Sequence, residues 1–373
     1  MLDYPCFFPD QVVPPERFGD RENQLRQIEY TLQAIKDCRP RGAMICGERG
    51  IGKTSLLDKT EDICLKKKIL PLHIALHEFD NVREFYDTLF EEMGSALKKI
   101  GLWEKLQVAL GEFRKDWDYV VRVEKRPRTL QGEVDLRLST LLEKMKKSGH
   151  ESLVFFLDES DGLKKHIVGL QILRNVWTSL CQRGCRLGFF FAGSENLVER
   201  LGQYSPLKRH CIPIQLKRFS KEECLLVIDK LEEGAKHKLS QQVKQRIAEV
   251  SGGYPHYIHV LGSHSVQAMK QGQKEIWAEA FRNYLLEINE YEAVIQSAGR
   301  VSETQKKILI HMDSFVPTTP KAIAQKSKVA QDTIPQQLKR LVQNKVVRKV
   351  GRGDYEVADR NLMEYLRLAS NGR

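Results

Sequence analysis

The chain has no C-x2-C pair, no long apolar run, no internal repeat and no low-complexity tract. Each absence removes a class of function. Eight cysteines are scattered over 373 residues, and the closest pair, Cys181 and Cys185, is separated by three residues. A zinc ribbon or a dithiol redox motif needs tighter pairs, so both are excluded. Cys46, Cys64, Cys211 and Cys224 stand in apolar runs and read as small core residues of a reducing compartment. No run approaches the roughly 20 apolar residues that span a bilayer, so no membrane partner is expected. The start, "MLDYPCFFPD", lacks a basic stretch leading into an apolar one and does not read as a secretory signal; a cytoplasmic location is expected.

What is present fits a globular protein with an acidic partner. Hydrophobic residues at 41% can build real cores, and the length leads us to expect two or three domains. The net charge of +11 makes nucleic acid the first candidate partner, although many exposed lysines would give the same total.

Short, nearly continuous apolar runs recur at 42–46, 69–76, 152–157, 187–193 and 211–216. That is how strands buried on both faces of a parallel sheet look. Helical patterns at 21–36, 54–67, 82–100 and 168–181 separate them, so the expected fold class is α/β with crossover helices. The interval 101–150 is too long for an ordinary crossover and reads as a helical insertion, broken at "VEKRPRT" (123–129). After residue 217 strand signals stop. Ser220 with Glu223 three residues on is a capping-box signature, and helical patterns run to residue 296 with a break at "SGGYP". "QSAGR" (296–300) reads as a linker. The expected domains are therefore an α/β core over 1–217, a helical domain over 218–296 and a C-terminal module over 297–373.

The stretch "GERGIGKTS", residues 47–55, follows one of these strands and opens a helix. Gly47, Glu48, Arg49, Gly50, Ile51, Gly52, Lys53, Thr54 and Ser55 satisfy the P-loop pattern. Its glycines let successive N–H groups face phosphate oxygens, Lys53 reaches the β- and γ-phosphates, and Thr54 offers a hydroxyl to Mg²⁺. A second Mg²⁺ anchor is expected in "SLVFFLDES", where Asp158 ends a buried strand. The adjacent Glu159 can polarise an attacking water, with Asp161 as an alternative or a helix cap. A third strand ends "FFFAGSEN"; if it neighbours the other two, Ser194, or else Asn196, would lie beside the γ-phosphate. ATP and Mg²⁺ are thus the expected ligands. No LSGGQ-like segment is present, which disfavours a transporter ATPase.

This series resembles the AAA+ superfamily, in particular the branch that holds archaeal origin-recognition initiators and multidomain signal-transduction ATPases. The resemblance extends over three quarters of the chain or more. The segment "VPPERFGDRENQL" (13–25) is similar to the family's entry segment near the adenine, with its glycine displaced by one position in Phe18-Gly19-Asp20-Arg21-Glu22. "GGYPHYI" (252–258) is similar to the Gly-x-Pro element that approaches the nucleotide from the lid, and this implies a phosphate contact for His256. The resemblance also implies that Arg209, just before the last core strand, reaches the γ-phosphate of a neighbouring subunit and acts catalytically in a homo-oligomer. The usual second-sensor arginine of the lid has no clear counterpart.

The C-terminal module reads as helix (302–312), helix (319–328), helix (331–345) and a hairpin around Gly351–Gly353. Asp332 is the expected cap of the third helix. The order resembles the winged helix that follows the ATPase in origin initiators. Residues 301–373 carry fourteen Lys and Arg against seven Asp and Glu, so most of the net charge lies there. Thr333, Gln336, Gln337, Lys339 and Arg340 are expected to face outward on the recognition helix, where Gln and Arg can read base edges. Arg348, Lys349 and Arg352 on the hairpin would meet phosphates or the minor groove of double-stranded DNA. The expected function is an ATP-binding, ATP-hydrolysing AAA+ protein that couples nucleotide state to DNA binding. The alternative is a signalling switch whose winged helix docks protein or restrains the core.

Overall fold

A computed structural model describes residues 6–75, 80–99, 129–147, 149–165, 167–202 and 206–371. It divides into two compact units, Pro14–Glu16 with Arg21–Lys217, and Met1–Val13 with Arg17–Asp20 and Arg218–Arg373. No described helix is long and apolar enough to cross a membrane.

The first unit runs α1 (Glu22–Lys36), β1 (Gly42–Cys46), α2 (Lys53–Lys66), β2 (Ile69–Ala75), α3 (Val82–Lys99), α4 (Leu130–Lys147), β3 (Ser152–Asp158), α5 (Ile167–Gln182), β4 (Arg186–Gly193), α6 (Leu197–Gly202) and β5 (Cys211–Gln215). The strands form one sheet in the order β2-β3-β4-β1-β5, and every pairing is parallel. This is the expected α/β class. Leu153, Phe155, Leu157, Phe189 and Phe191 join one apolar cluster with Phe85 and Leu89 of α3, Leu138 of α4 and Trp177 of α5. On the opposite face α1 packs on β1 and β4, and α2 packs on β2. Gly188 lets α1 come close, since a Cβ there would stand 2.2 Å from Ile35 Cδ1. Two covered faces explain why these strands lack polar alternation. Of the anticipated 101–150 insertion, α4 is described, whereas residues 101–128 lie outside the described residues.

The second unit holds α7 (Lys221–Leu231), α8 (Gln241–Ser251), α9 (Pro255–Lys270), α10 (Ile276–Glu287), α11 (Tyr291–Arg300), α12 (Glu303–Ile310), α13 (Pro320–Ser327), α14 (Ile334–Gln343), the hairpin β6 (Val347–Val350) with β7 (Asp354–Val357), and α15 (Arg360–Asn371). The Ser220–Glu223 capping box forms, with a second one at Ser302–Gln305. Gly252 and Gly253 turn the chain between α8 and α9 at φ 56 and 78, and Gly253 accepts Phe219 N–H. A Cβ on Gly253 would stand 2.0 Å from the Phe219 oxygen, so no other residue fits.

Two expectations are corrected here. Residues 296–300 are not a linker: they form the last part of α11, whose Val294 and Ala298 are both buried. The third C-terminal helix starts at Ile334 with Thr333, not Asp332, in the cap position, because Pro335 is best tolerated in a first turn.

The buried His259 of α9 generates a pH prediction. Its Nδ1 accepts the Phe8 N–H at 3.2 Å, and Phe7 occupies the slot left by Gly262. Burial, with a smaller contribution from His256, pushes the His259 pKa down from 6.5 to about 4. The unfolded chain therefore binds this proton first. The neutral ring's contribution is complete above pH 6.5 and is lost as pH falls toward 4, about 3 kcal/mol in all. Urea unfolding between pH 7 and 4.5 should show a pH slope shallower by about one proton in His259→Gln than in wild type; equal slopes would contradict the assignment.

Candidate functional site

Three strand ends meet at the carboxyl edge of the sheet. β1 runs into the glycine-rich loop, β3 into Asp158 and Glu159, and β4 into Ser194. β4 pairs with β1 on one side and β3 on the other, so these three segments are neighbours.

The loop geometry follows from its glycines. A Cβ on Gly47 would lie 2.8 Å from Ile51 Cγ2 and 2.9 Å from the Leu216 oxygen. Gly50 (φ 77) and Gly52 (φ 94) take left-handed conformations that L side chains avoid. Ile51 is buried and pins the loop to the core. Gly52 caps α2 without a side-chain hydrogen bond, so the first N–H groups of α2 stay available to an anion. Lys53 Nζ folds back onto the carbonyls of Gly47 (2.9 Å) and Glu48 (2.8 Å). Burial lowers the Lys53 pKa, and the carboxylates of Asp158 and Asp161 oppose that shift. Thr54 Oγ donates to Asp158 Oδ2 at 3.2 Å, which brings together the two oxygens expected to hold Mg²⁺. Serine 55 (Ser55), Glu48 and Gly52 are half-buried, while Arg49, Gly50 and Thr54 are exposed. The close-packed Gly47 and the uncapped helix end suit a phosphate chain, and the paired hard oxygens suit Mg²⁺.

Glu159 is exposed and sits at φ 55, and its N–H donates to Asp158 Oδ1 at 2.8 Å. A left-handed glutamate costs about 1–2 kcal/mol. Such a conformation persists only where the surrounding structure imposes it, here between the end of β3 and the 3-10 turn that follows.

Asp161 has a role that its sequence position does not suggest. Its Oδ2 accepts Ser194 N–H at 2.7 Å, and its Oδ1 accepts Ser194 Oγ–H at 2.6 Å and Arg200 at 3.2 Å. It lies in a 3-10 turn (Ser160–Lys165) and ties β3 to β4. Gly193 makes room for it, because a Cβ there would meet Asp161 Oδ2 at 2.8 Å. The Ser194 hydroxyl is thus already donated to a carboxylate, and Asn196 is exposed nearby.

The remaining candidates lie on other elements. Arg209 is exposed at the end of a 3-10 turn (Pro206–Arg209) before β5. His256, in the first turn of α9 in the second unit, is half-buried with its ring beside those of Tyr254 and Tyr257. On α14, Gln336, Lys339 and Arg340 are exposed. Thr333 and Gln337 are half-buried, contrary to the expectation that they face outward; the Gln337 Oε1 is buried and makes no hydrogen bond. Residues 334, 338 and 341 anchor α14 in the core, and 337 falls beside that apolar stripe. On the hairpin, Lys349 and Arg352 are exposed, whereas Arg348 pairs with Glu356 at 2.6 Å.

A parallel sheet with the P-loop and acidic strands in this arrangement is the fold of a P-loop ATPase. A family model described as an AAA domain matches residues 39–201, which hold all three strand-end segments. None of the curated proteins compared with the chain matches it. Among solved structures, Cdc6p of Pyrobaculum aerophilum shares 15% identity at a TM-score of 0.58, covering 98% of each chain. The Walker-type ATPase of Pyrococcus abyssi shares 17% at 0.52, covering 96% of this chain and 100% of its own. At these identities the likeness is one of fold.

Lys53→Ala should lower ATP affinity about tenfold to a hundredfold, the worth of a charge-assisted hydrogen bond. Titration with a fluorescent ATP analogue checks this; unchanged affinity would remove the loop from the site.

Proposed function

We propose that the chain binds ATP with Mg²⁺, hydrolyses it, and uses its nucleotide state to govern the grip of its C-terminal helices on double-stranded DNA. The observation that carries the ATPase half is the Thr54–Asp158 contact, which joins the loop after β1, with Lys53, to the β3 end, with Glu159, across the intervening β4. In this reading residues 1–217 are the ATPase core, 218–296 the lid and 297–373 a winged helix.

Loop and α2 N–H groups receive the phosphates, and Lys53 exchanges the Gly47 and Glu48 carbonyls for phosphate oxygens. Thr54 and Asp158 would hold the Mg²⁺, which would supply positive charge against that of the phosphates. Glu159 takes a proton from the attacking water. Asp161 holds both donors of Ser194, its N–H and its hydroxyl, at the neighbouring strand end, so Ser194 senses the γ-phosphate only by exchanging Asp161 for it. The exposure of Arg209 leaves it able to serve a second copy of the chain, and His256 contributes from the lid.

The DNA half rests on charge and exposure. Gln336, Lys339 and Arg340 present base-reading and phosphate-binding groups on one exposed face of α14, with Lys349 and Arg352 on the hairpin. The excess of basic residues in 301–373 supplies the non-specific attraction. Thr333 and Gln337 contribute less than the sequence alone suggests.

Glu159→Gln should keep ATP binding and slow hydrolysis by about 10²–10⁴. Single-turnover phosphate release checks this; wild-type turnover in the variant would shift the base to another group.

Arg352→Ala should weaken duplex binding for every sequence and reduce the salt-dependence slope by about one. Arg348→Ala should change that slope less, because Glu356 already neutralises Arg348. Fluorescence anisotropy over a salt series measures both. Equal effects would contradict the ion-pair argument, and no duplex binding at low salt would favour the protein-docking alternative.

A further inference from the structure

We propose that Glu364 is a positioning residue that locks the lid helices and the C-terminal helices into one lever. The inference rests on the nucleotide-governed DNA reading for its consequence, not for its geometry. No flexible segment divides the two groups of helices. α11 gives Val294 to the apolar cluster of the lid and, one turn later, Ala298 to the cluster of the C-terminal helices. Tyr365 packs against both clusters, and Phe315 and Leu368 from the C-terminal side pack against that of the lid.

A polar lock fixes the angle that apolar packing leaves loose. Glu364 of α15 is completely buried. It accepts hydrogen bonds from Trp277 Nε1 of α10 at 2.8 Å and from Arg246 of α8 at 3.1 Å, with Arg367 of its own helix at 3.7 Å. Arg367 donates to Glu249 of α8 at 3.0 Å, and to the carbonyls of Ile310 and Met312 at 3.1 Å each. Glu249 is held in turn by Lys221 of α7 at 2.9 Å. Each of these groups accepts or donates in a set direction, so rotation of α15 against α8 would strand a buried charge. At the other end of the joint, Arg360 donates twice to the Ser314 carbonyl at 2.9 and 3.1 Å. Its guanidinium lies against Gly252, where a Cβ would be 2.6 Å from Cζ. Burial of ion pairs contributes little net stability but can fix an arrangement. The lock therefore sets orientation, and any movement of the lid reaches α14 undiminished.

The test uses the full chain, with spin-labelled unnatural residues replacing the exposed Gln242 of α8 and Gln343 of α14. Electron–electron resonance should give one narrow distance, the same with ADP and with a non-hydrolysable ATP analogue. A distance that changes between the two nucleotides in the otherwise wild-type chain would overturn the proposal. Glu364→Leu should broaden the distribution, and Glu364→Gln, which keeps an acceptor for Trp277 but removes the charge facing Arg246, should broaden it less; a narrow distribution in Glu364→Leu would also overturn it. Duplex affinity is measured in parallel in both nucleotides. The ratio of the two affinities should move toward one in Glu364→Leu with ATP affinity unchanged. A fixed distance together with a wild-type ratio of one would uphold the lever and remove nucleotide control of DNA.

Discussion

The parallel pairing of β4 with both β1 and β3 is the constraint on which the candidate nucleotide site depends. Hydrogen bonds along those two ladders fix the three strand ends within reach of one another, and no side-chain contact could do so as rigidly. The phosphate loop, the Asp158–Glu159 pair and Ser194 are consequences of that order. The Asp161 carboxylate then sews β3 to β4 at their tips. Its reach depends on the missing side chain of Gly193. A site built at strand ends is held by the core, which is why its loop can carry left-handed glycines and a strained glutamate without losing its shape.

The second unit solves a different problem. Among its described residues the strands form one hairpin, joined by a bridge from Thr318 to Tyr355, so no long ladder orders its helices. Two apolar clusters share α11 and Tyr365, and buried carboxylates supply direction. Charged side chains are used where orientation matters, and aliphatic ones where only burial does.

Much of this was legible in the sequence because the signals are local. Buried strands declare themselves by continuous apolar runs, and the phosphate loop by glycines at a fixed spacing. The Ser220 and Ser302 caps are likewise set within one helical turn. What was missed depends on partners far along the chain. Asp161 reads as a helix cap until Ser194, thirty-three residues later, is placed beside it. The small residues of 296–300 read as a linker because nothing nearby shows that Ala298 is covered by the C-terminal helices. α15 follows the hairpin without a turn signal strong enough to mark it, yet its Glu364 and Arg367 meet residues more than eighty positions earlier. Gln337 reads as outward-facing on the third C-terminal helix, yet its place beside Leu338 and Leu341 turns it partly inward.

Together the ends of β1, β4 and β3 would make one Mg²⁺-assisted ATP site. Isothermal titration calorimetry of the full chain with ATP, in the presence of Mg²⁺ and then of a chelator, tests it directly. Saturable binding of one ATP per chain is expected, weakened when Mg²⁺ is withdrawn because Thr54 and Asp158 would then have no ion to hold. Absence of saturable binding at millimolar ATP would contradict it.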